Sequence, residues 1–301
     1  METNILLESG TNELEILEFT VGQNHYGINV AKIKEILTYK KPTPIPNAHP
    51  CIEGIFMPRD TIISIIDLAK SLKLPQSADE TKDMYIVTNF NQLNAAFHVH
   101  GVIGIHRVSW ADIVKPDETI NTAGAGVATG IIKYDNKLII ILDFEKIVSE
   151  ISPETSLKVS DIDQLGKRDR KECPILIAED SPLLSRLIHD CLVKAGYENV
   201  IVTGNGQEAW EKLNQFQQEG NLKEKVKCVI TDIEMPRMDG HRLTKLIKDS
   251  PEFSFLPVVI FSSLVNDEMK RKGKMLGANA QLSKPEIGML VEEIDKLVEN
   301  L

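Results

Sequence analysis

The sequence predicts a two-part chain: an all-β N-terminal half made of two similar small barrels, and a C-terminal α/β half on a doubly wound parallel sheet. Three observations predict it. A hairpin-like stretch of the first half recurs, ungapped, later in that half. The second half alternates short apolar runs with amphipathic stretches. A polar, mixed-charge segment separates the two. The length of 301 residues allows two domains at about 150 residues each, and an apolar content of 42% suffices for a core in both.

In the first half, Leu14–Val21, Tyr26–Val30 and Thr61–Ile66 carry apolar residues with polar interruptions or alternation, as strands do. Pro42, Pro44, Pro46 and Pro50 mark a loop that cannot be a central strand. Gly54-Ile-Phe-Met-Pro-Arg-Asp-Thr-Ile-Ile-Ser-Ile-Ile-Asp67-Leu68 aligns without gaps onto Gly130-Ile-Ile-Lys-Tyr-Asp-Asn-Lys-Leu-Ile-Ile-Ile-Leu-Asp143-Phe144. Both begin Gly-Ile, turn through polar residues, run apolar and end in Asp plus an apolar residue. A weaker match sets Ile28-Asn-Val30 and Ile33 against Phe97-His-Val99 and Val102. Duplication into two β-barrels follows, since closing a sheet removes its exposed edges. From about Ser149 to Glu172 the chain is polar and poor in large apolar residues, which reads as a linker, helical near its start.

The second half begins with the strand Ile175–Ala178. Ser181-Pro182 then opens a helix, with Pro suited to the first turn. Leu184, Leu187, Ile188, Cys191 and Leu192 share one face of it, and Gly196 stops it. Strands are expected near Val200–Val202, Val226–Thr231, Val258–Phe261 and Ala280–Leu282, with helices between them and a last one from about Ile287 to Leu301. Five βα units predict the parallel sheet.

Four of these strands end in polar chemistry: Glu179-Asp180, Asp232, Ser262 and Lys284-Pro285. An open parallel sheet places its site at such carboxyl ends. Two carboxylates about 4 Å apart repel by roughly 4 kcal/mol at an effective dielectric of 20. A hard divalent cation, Mg2+ above all, relieves this and keeps room for phosphate oxygens. Asp232 then suits a phosphoryl acceptor, Lys284 a partner for one phosphoryl oxygen and Ser262 a donor to another. Taken singly, the acidic pair could be a helix N-cap at Asp180, and Lys-Pro a solvated turn. Together, in order on strands one, three, four and five, they read as one site.

Residues 173–301 resemble the CheY-like response-regulator receiver family, a flavodoxin-like fold, through Thr231-Asp232-Ile-Glu-Met-Pro236-Arg-Met-Asp239-Gly240 and the three other strand ends. The resemblance implies that Asp232 is phosphorylated by a phosphohistidine kinase. It also implies that Glu179, Asp180, Asp232 and the Glu234 carbonyl hold Mg2+, with Ser262 and Lys284 assisting. The family's switch position on the fifth strand is usually aromatic, and here it is Gln281. The hydroxyl residue is Ser262 followed by Ser263, where the family more commonly has Thr and Ala. Residues 13–148 resemble the CheW-like coupling family, with two five-stranded SH3-like barrels. The match runs through Gly27-Ile-Asn-Val-Ala-Lys-Ile-Lys-Glu35-Ile, Ile45-Pro and Gly54–Leu68, with Ser64 where a proline is usual. With the linker at 149–172, the order of the two resembles the CheV family of chemotaxis adaptors. That resemblance implies binding to the histidine kinase CheA and to chemoreceptors, feedback through Asp232, and a cytoplasmic protein held at receptor arrays by its partners.

The net charge of −10 argues against a nucleic-acid surface and a polybasic membrane anchor, and no apolar run approaches the ~20 residues of a span. The four cysteines, Cys51, Cys173, Cys191 and Cys228, lack metal-ligand spacing and read as reduced thiols. Arg59, in the hairpin where the second copy has Asp135, and Glu35, on a short helical segment, are candidate partner contacts. His98-Val-His100, without a carboxylate or cysteine cluster, reads as a polar strand face rather than a metal pair. Trp110 and Trp210 read as packing residues. A stand-alone phosphate sink, a transcriptional regulator and a Mg2+-dependent phosphatase with an aspartate nucleophile are the alternatives. No helix-turn-helix pattern accompanies the receiver-like half, and the nucleophile of haloacid-dehalogenase-type phosphatases follows the first strand, whereas Asp232 follows the third. Self-phosphorylation with slow hydrolysis, not enzymatic turnover, is expected.

Overall fold

The computed structural model describes residues 12–90, 93–116, 126–152, 171–284 and 286–299. The chain divides into two compact units, Leu14–Thr155 and Ser156–Leu301, the second including Met1–Glu13.

The N-terminal unit contains two five-stranded sheets. Its elements are β1 (Glu13–Val21), β2 (Asn24–Asn29), β3 (Ile33–Thr38), β4 (Ile52–Phe56), β5 (Ile63–Asp67), α1 (Leu68–Ser71), β6 (Met84–Phe90), β7 (Leu93–Val99), β8 (Gly101–Ser109), β9 (Ala128–Tyr134), β10 (Lys137–Leu142) and α2 (Phe144–Ile151). The sheet orders are β8-β1-β2-β10-β9 and β3-β6-β7-β5-β4. The orders are equivalent. Each sheet joins two antiparallel hairpins, one from each half of the chain, through one parallel pair, β2 with β10 and β7 with β5, and its fifth strand, β8 or β3, lies beside the hairpin of the other half. Ile28 and Phe97, matched in sequence, fall on the equivalent strands β2 and β7.

Structure explains both ends of the sequence repeat. A Cβ on Gly54 would stand 2.3 Å from the Thr43 carbonyl oxygen, and one on Gly130 would stand 2.4 Å from Ile113 Cγ2. At each place a loop segment crosses and bridges the next residue, Thr43 to Ile55 and Val114 to Ile131. The shared terminal Asp is a helix N-cap: Asp67 accepts from Lys70 N at 2.9 Å and Asp143 from Lys146 N at 2.9 Å. The apolar residue after each cap, Leu68 and Phe144, enters the core common to both sheets, where Phe144 meets Phe97 edge-on at 4.6 Å.

Two readings are corrected here. Glu35 lies on β3, not on a helical segment; burial alternates residue by residue from Ile33 to Thr38, with Ile33, Glu35 and Leu37 on the inner side, and a single 3-10 turn, 30–32, precedes the strand. His98 is buried among carboxylates rather than on a bare polar face. Its Nδ1 lies 2.9 Å from Glu53 Oε2 and its Nε2 lies 2.9 Å from Asp83 Oδ2, while Tyr39 stacks on the ring at 4.5 Å. With both ring nitrogens taken, His98 has no lone pair for a metal. Trp110 is buried, Trp210 packs edge-on against Phe253, and all four cysteines are free thiols. Glu18 is likewise buried, accepting from Lys137 Nζ at 2.6 Å and contacting His25 and His106.

The C-terminal unit contains β11 (Ile175–Ala178), α3 (Pro182–Lys194), β12 (Val200–Thr203), α4 (Gly206–Gln218), α5 (Leu222–Lys225), β13 (Cys228–Thr231), α6 (Gly240–Asp249), β14 (Val258–Ser262), α7 (Asp267–Met275), β15 (Ala280–Ser283) and α8 (Ile287–Glu299). The sheet is parallel, in the order β12-β11-β13-β14-β15. Its central strands β11, β13 and β14 are buried along their whole length, and apolar up to Thr231 and Ser262 at their ends, because both faces are covered. One core contains α3 and α8, the other α4, α5 and α6. Ser181, not Asp180, caps α3, accepting from Leu184 N, with Pro182 in the first turn. Asp180 is thereby released from the capping role that its position allowed. Strand order reverses between β12-β11 and β13-β14-β15, and the crevice of such a sheet lies at that switch, outside the carboxyl ends of β11 and β13. No helix among the described residues is long and apolar enough to cross a membrane.

The His98 cluster has a pH signature. Burial opposes the ring's charge, but the hydrogen bonds and charges of Glu53 and Asp83 outweigh it and raise the His98 pKa above its usual 6.5. The stabilisation is complete below the unfolded pKa and is lost as pH rises through the raised folded value. The melting temperature of the N-terminal unit is expected to fall across that window. His98→Gln flattens this dependence and, by leaving two carboxylates without their cation, costs about 3 kcal/mol at pH 6, measured by urea denaturation at several pH values.

Candidate functional site

The four strand ends named from sequence meet at one edge of the parallel sheet. Glu179 and Asp180 follow β11, Asp232 follows β13, Ser262 ends β14 and Lys284 follows β15. Adjacent β11 and β13 run in register, Ala178 beside Thr231, and Asp232 N donates to Ala178 O at 3.0 Å. Carboxylate oxygens of Glu179, Asp180 and Asp232 therefore gather within 4.8 Å of one another. Lys284 Nζ donates to Glu179 Oε2 at 2.7 Å and to Asp232 Oδ2 at 2.9 Å, and all three side chains are buried. The other Asp232 oxygen accepts from Ile233 N at 2.6 Å, which fixes the carboxylate plane.

Charge is crowded here. Burial pushes the Glu179 carboxyl above its ordinary range, the Lys284 ammonium opposes that rise, and Asp232 and Asp180 add to it. One ammonium faces three carboxylates, so the cluster keeps an excess of negative charge under poor solvation. Three gathered carboxylates match the oxygen-only preference of Mg2+.

Ser262 is buried, and its Oγ accepts from Leu264 N at 3.2 Å. Its carbonyl accepts from Lys284 N at 3.1 Å, which ties the exits of β14 and β15 together. Glu234 lies in the loop between Asp232 and α6. Pro285 lies outside the described residues.

Sequence reasoning missed what holds this loop. A Cβ on Gly240 would stand 1.8 Å from the Asp232 carbonyl oxygen, so only glycine lets α6 begin against the backbone of Asp232. Thr231 Oγ1 donates to that same carbonyl at 2.9 Å. Asp239 caps α6, accepting from Arg242 N at 2.6 Å, and burial raises its carboxyl to about 6. Asn12 spans the turn: its side-chain nitrogen donates to Arg237 O at 2.8 Å and its oxygen accepts from Asp239 N at 3.0 Å. The Asp-Gly dipeptide was the available signal for the first of these; nothing local marks Asn12.

Arg59 and Glu35 belong to the other unit, where they meet as an ion pair at 3.0 Å. The two copies of the repeat diverge here. The β9–β10 hairpin closes through Asp135 and Asn136, both with positive φ, as a tight two-residue turn requires. The β4–β5 connection is the longer 57–62, with Arg59 at φ 62°. Its tip exposes Met57 at 60% and Ile62 at 64%, beside an Arg59 side chain exposed at 79%.

The CheW-like domain family matches residues 15–152, and the response regulator receiver domain family matches residues 175–295. The chain is 31% identical over 302 residues to chemotaxis protein CheV3 of Helicobacter pylori, covering 96% of each protein. It is 26% identical to CheV1 of the same organism, over 91% of this chain and 89% of that one. Among solved structures, the scaffolding protein TtCheW from Thermoanaerobacter tengcongensis covers 44% of this chain and 86% of its own, at 25% identity and a TM-score of 0.42. Fold and matches together define a class, a CheW-like β domain joined to a receiver domain with a doubly wound parallel sheet. The chain belongs to the CheV family of chemotaxis proteins and is a chemotaxis coupling adaptor.

The Gly240 contact gives a direct test. Gly240→Ala drives a methyl group into the Asp232 carbonyl and is expected to destabilise the C-terminal unit by about 2 kcal/mol or more, read as a lowered urea midpoint with the N-terminal transition unchanged.

Proposed function

We propose that this adaptor couples chemoreceptors to the histidine kinase CheA through its N-terminal unit and is regulated by phosphorylation of Asp232. The division intended is a coupling domain over 13–148, a linker over 149–172 and a receiver over 173–301. The observation that carries the regulatory half is the buried Lys284 ammonium bridging Glu179 and Asp232 at 2.7 and 2.9 Å. A transferring phosphoryl group carries charge that must be stabilised, and positioning with electrostatics supplies most of the catalysis.

In this reading an Asp232 oxygen attacks the phosphorus of a phosphohistidine on CheA. The P–N bond breaks as the P–O bond forms, and the imidazole leaves with the electron pair. Lys284 exchanges its Asp232 contact for a phosphoryl oxygen, and the Ser262 hydroxyl donates to another. Glu179, Asp180, Asp232 and the Glu234 carbonyl would hold Mg2+, which supplies the positive charge that offsets repulsion between the carboxylates and the incoming group. The donor set favours this, since three gathered carboxylates already exceed the one ammonium among them.

Arg59 and Glu35 are assigned to partner contact. Their pairing is exposed, so it contributes little to stability, and it stands on a hairpin tip flanked by uncovered Met57 and Ile62. CheA and receptors would place the protein at membrane arrays without insertion of its own. Neither nucleic-acid binding nor enzymatic turnover belongs to this reading.

Incubation with phosphorylated CheA and Mg2+, followed by mass mapping, is expected to place the label on Asp232. Asp232→Asn abolishes labelling and Lys284→Ala slows it about 10²-fold; label on any other residue would sink the assignment. Mg2+ at about 100 times its Kd is expected to stabilise the receiver by about 2.7 kcal/mol, an effect absent from Asp180→Asn. Arg59→Glu is expected to abolish pull-down of CheA or receptor with the melting temperature kept within about 2 °C. The swap Glu35→Arg/Arg59→Glu restores the ion pair but not the binding.

A further inference from the structure

The sheet β3-β6-β7-β5-β4 has β3 and β4 as its edge strands, and polar contacts join those edges. Past β3 the chain closes on β4 through Thr43 and Ile55, whose backbones exchange hydrogen bonds of 2.9 and 2.8 Å. Two side-chain contacts cross the same seam. One is the exposed Arg59–Glu35 pair, from the β4–β5 connection to β3. The other lies deeper: Tyr39, just past β3, donates its hydroxyl to Glu53 Oε1 of β4 at 3.0 Å. The second Glu53 oxygen faces His98 Nδ1 of β7, and Asp83, before β6, faces Nε2, each at 2.9 Å.

Only a charged imidazole has an N–H on both sides. Between two carboxylates it ties β4 and the segment before β6 to β7, and Glu53 in turn holds Tyr39. A neutral ring has one N–H and one lone pair, and the lone pair then faces a carboxylate oxygen. Glu53 is the carboxylate that gives way. Asp83 is fully buried and also accepts from Ser77 Oγ at 2.8 Å, whereas the Glu53 side chain is 18% exposed. Glu53 also sits where the β4–β5 register shifts, between Ile52 and Gly54, and the extra residue of such an irregularity is left out of the ladder.

The other groups around the ring do not take over its proton. Tyr39 stacks on it at 4.5 Å and Tyr85 meets it edge-on at 5.7 Å; burial, above all, raises both phenols, so both remain donors. His100, its ring 6.3 Å away, accepts from Gly22 N through Nδ1, and burial lowers its pKa. Asp67, beside His98 on β5, is paired with Lys70 of α1 at 3.2 Å. Exposed Lys41 and Glu80 line, with His98 and Glu53, a cavity of about 290 Å3 that gives protons a way to the ring.

We propose that Tyr39, Glu53, His98 and Asp83 form a proton-operated clamp on the β4–β5 connection, an inference that rests on the reading of Arg59 as a partner contact. With His98 protonated the seam is closed, and Arg59 stands over Glu35 on a fixed connection. When His98 loses its proton, Glu53 turns out to solvent, Tyr39 loses its acceptor, and the connection 57–62, which begins where β4 ends, loosens. The adaptor then holds its partner less tightly as pH rises through the titration of the ring. Burial opposes the ring's charge, but Glu53 and Asp83 hold its pKa above 6.5, so the change falls on the alkaline side of that value.

The test uses the full chain in buffers from about pH 5.5 to about 9. The His98 ring is followed by NMR, the segment 52–63 by amide hydrogen exchange corrected for the intrinsic effect of pH, and partner binding by capture on immobilised CheA. In wild type, exchange is expected to rise and capture to fall, each several-fold, with the midpoint of the ring titration. His98→Gln leaves one carboxylate unpaired and stays loose at every pH. Glu53→Gln donates to the neutral ring and still accepts from Tyr39, so exchange stays low and capture high at every pH. CheA meets the same buffers in each case, which separates the clamp from any effect of pH on the partner. Should His98→Gln fail to fold, wild type and Glu53→Gln decide the matter. A ring that does not titrate in this range, a ring that titrates without moving exchange, or a Glu53→Gln protein that responds like wild type overturns the proposal. Where exchange responds and capture does not, Arg59→Glu discriminates. Loss of capture by that variant overturns the proposal; unchanged capture overturns the partner reading of Arg59 instead, while the exchange response still establishes the clamp.

Discussion

One buried ammonium organises the receiver. Lys284 Nζ sits between Glu179 and Asp232 at 2.7 and 2.9 Å, with Asp180 close enough to share a cation with both. Without it the carboxylates would face one another across a few ångströms, a repulsion of roughly 4 kcal/mol at an effective dielectric of 20. Burial of such a group adds little net stability, because desolvation offsets most of the attraction. What the lysine does instead is hold together a cluster in which the carboxylates outnumber the ammonium. Strand order makes this possible. The switch between β11 and β13 brings residues far apart in sequence to one edge, and Gly240 lets α6 start against the Asp232 carbonyl. The sheet, the glycine and the lysine are one arrangement, and each is needed for the others to be at the right distance.

The N-terminal unit obeys a different constraint. Two copies of one hairpin-and-helix unit share a core through the apolar residue after each capping Asp, Leu68 and Phe144. Each sheet is built from strands of both copies, two from one and three from the other, so neither copy can complete a sheet alone. The sequence repeat is therefore the trace of steric and capping requirements: glycine where a loop crosses at 2.3 or 2.4 Å, and aspartate where a helix begins.

The receiver was legible because its site is local to strand ends. Buried parallel strands read as apolar runs, and the polar residue that stops each run is the one at the sheet edge, so Glu179, Asp180, Asp232, Ser262 and Lys284 could be named from order alone. The duplication was legible for the same reason, since its Gly and Asp are fixed by backbone geometry. What escaped depends on contacts between distant segments. The interleaving of the two copies within each sheet leaves no local pattern. His98 pairs with Glu53 and Asp83, 45 and 15 residues away, and sequence spacing alone gave it no carboxylates. Glu35 reads as helical in sequence because Ile33, Ile36 and Leu37 stand at helical spacing just after a 3-10 turn. Asn12 reaches the turn before α6 across more than two hundred residues.

Two features of the chain gain meaning when their energetics are compared. The Arg59–Glu35 pair and the Gln281 amide each do little for the fold in isolation: the first is an exposed ion pair worth at most about 1 kcal/mol, and the second is a buried polar group whose lack of a partner costs stability. Core residues are chosen by what they contribute to packing, and these two are not explained that way. An exposed ion pair costs little to break, and a buried amide without a partner costs stability where it stands. The ion pair sits where a small change in free energy can be converted into a change of contact. An adaptor whose coupling is to be adjusted needs that property, and a rigidly satisfied surface would deny it.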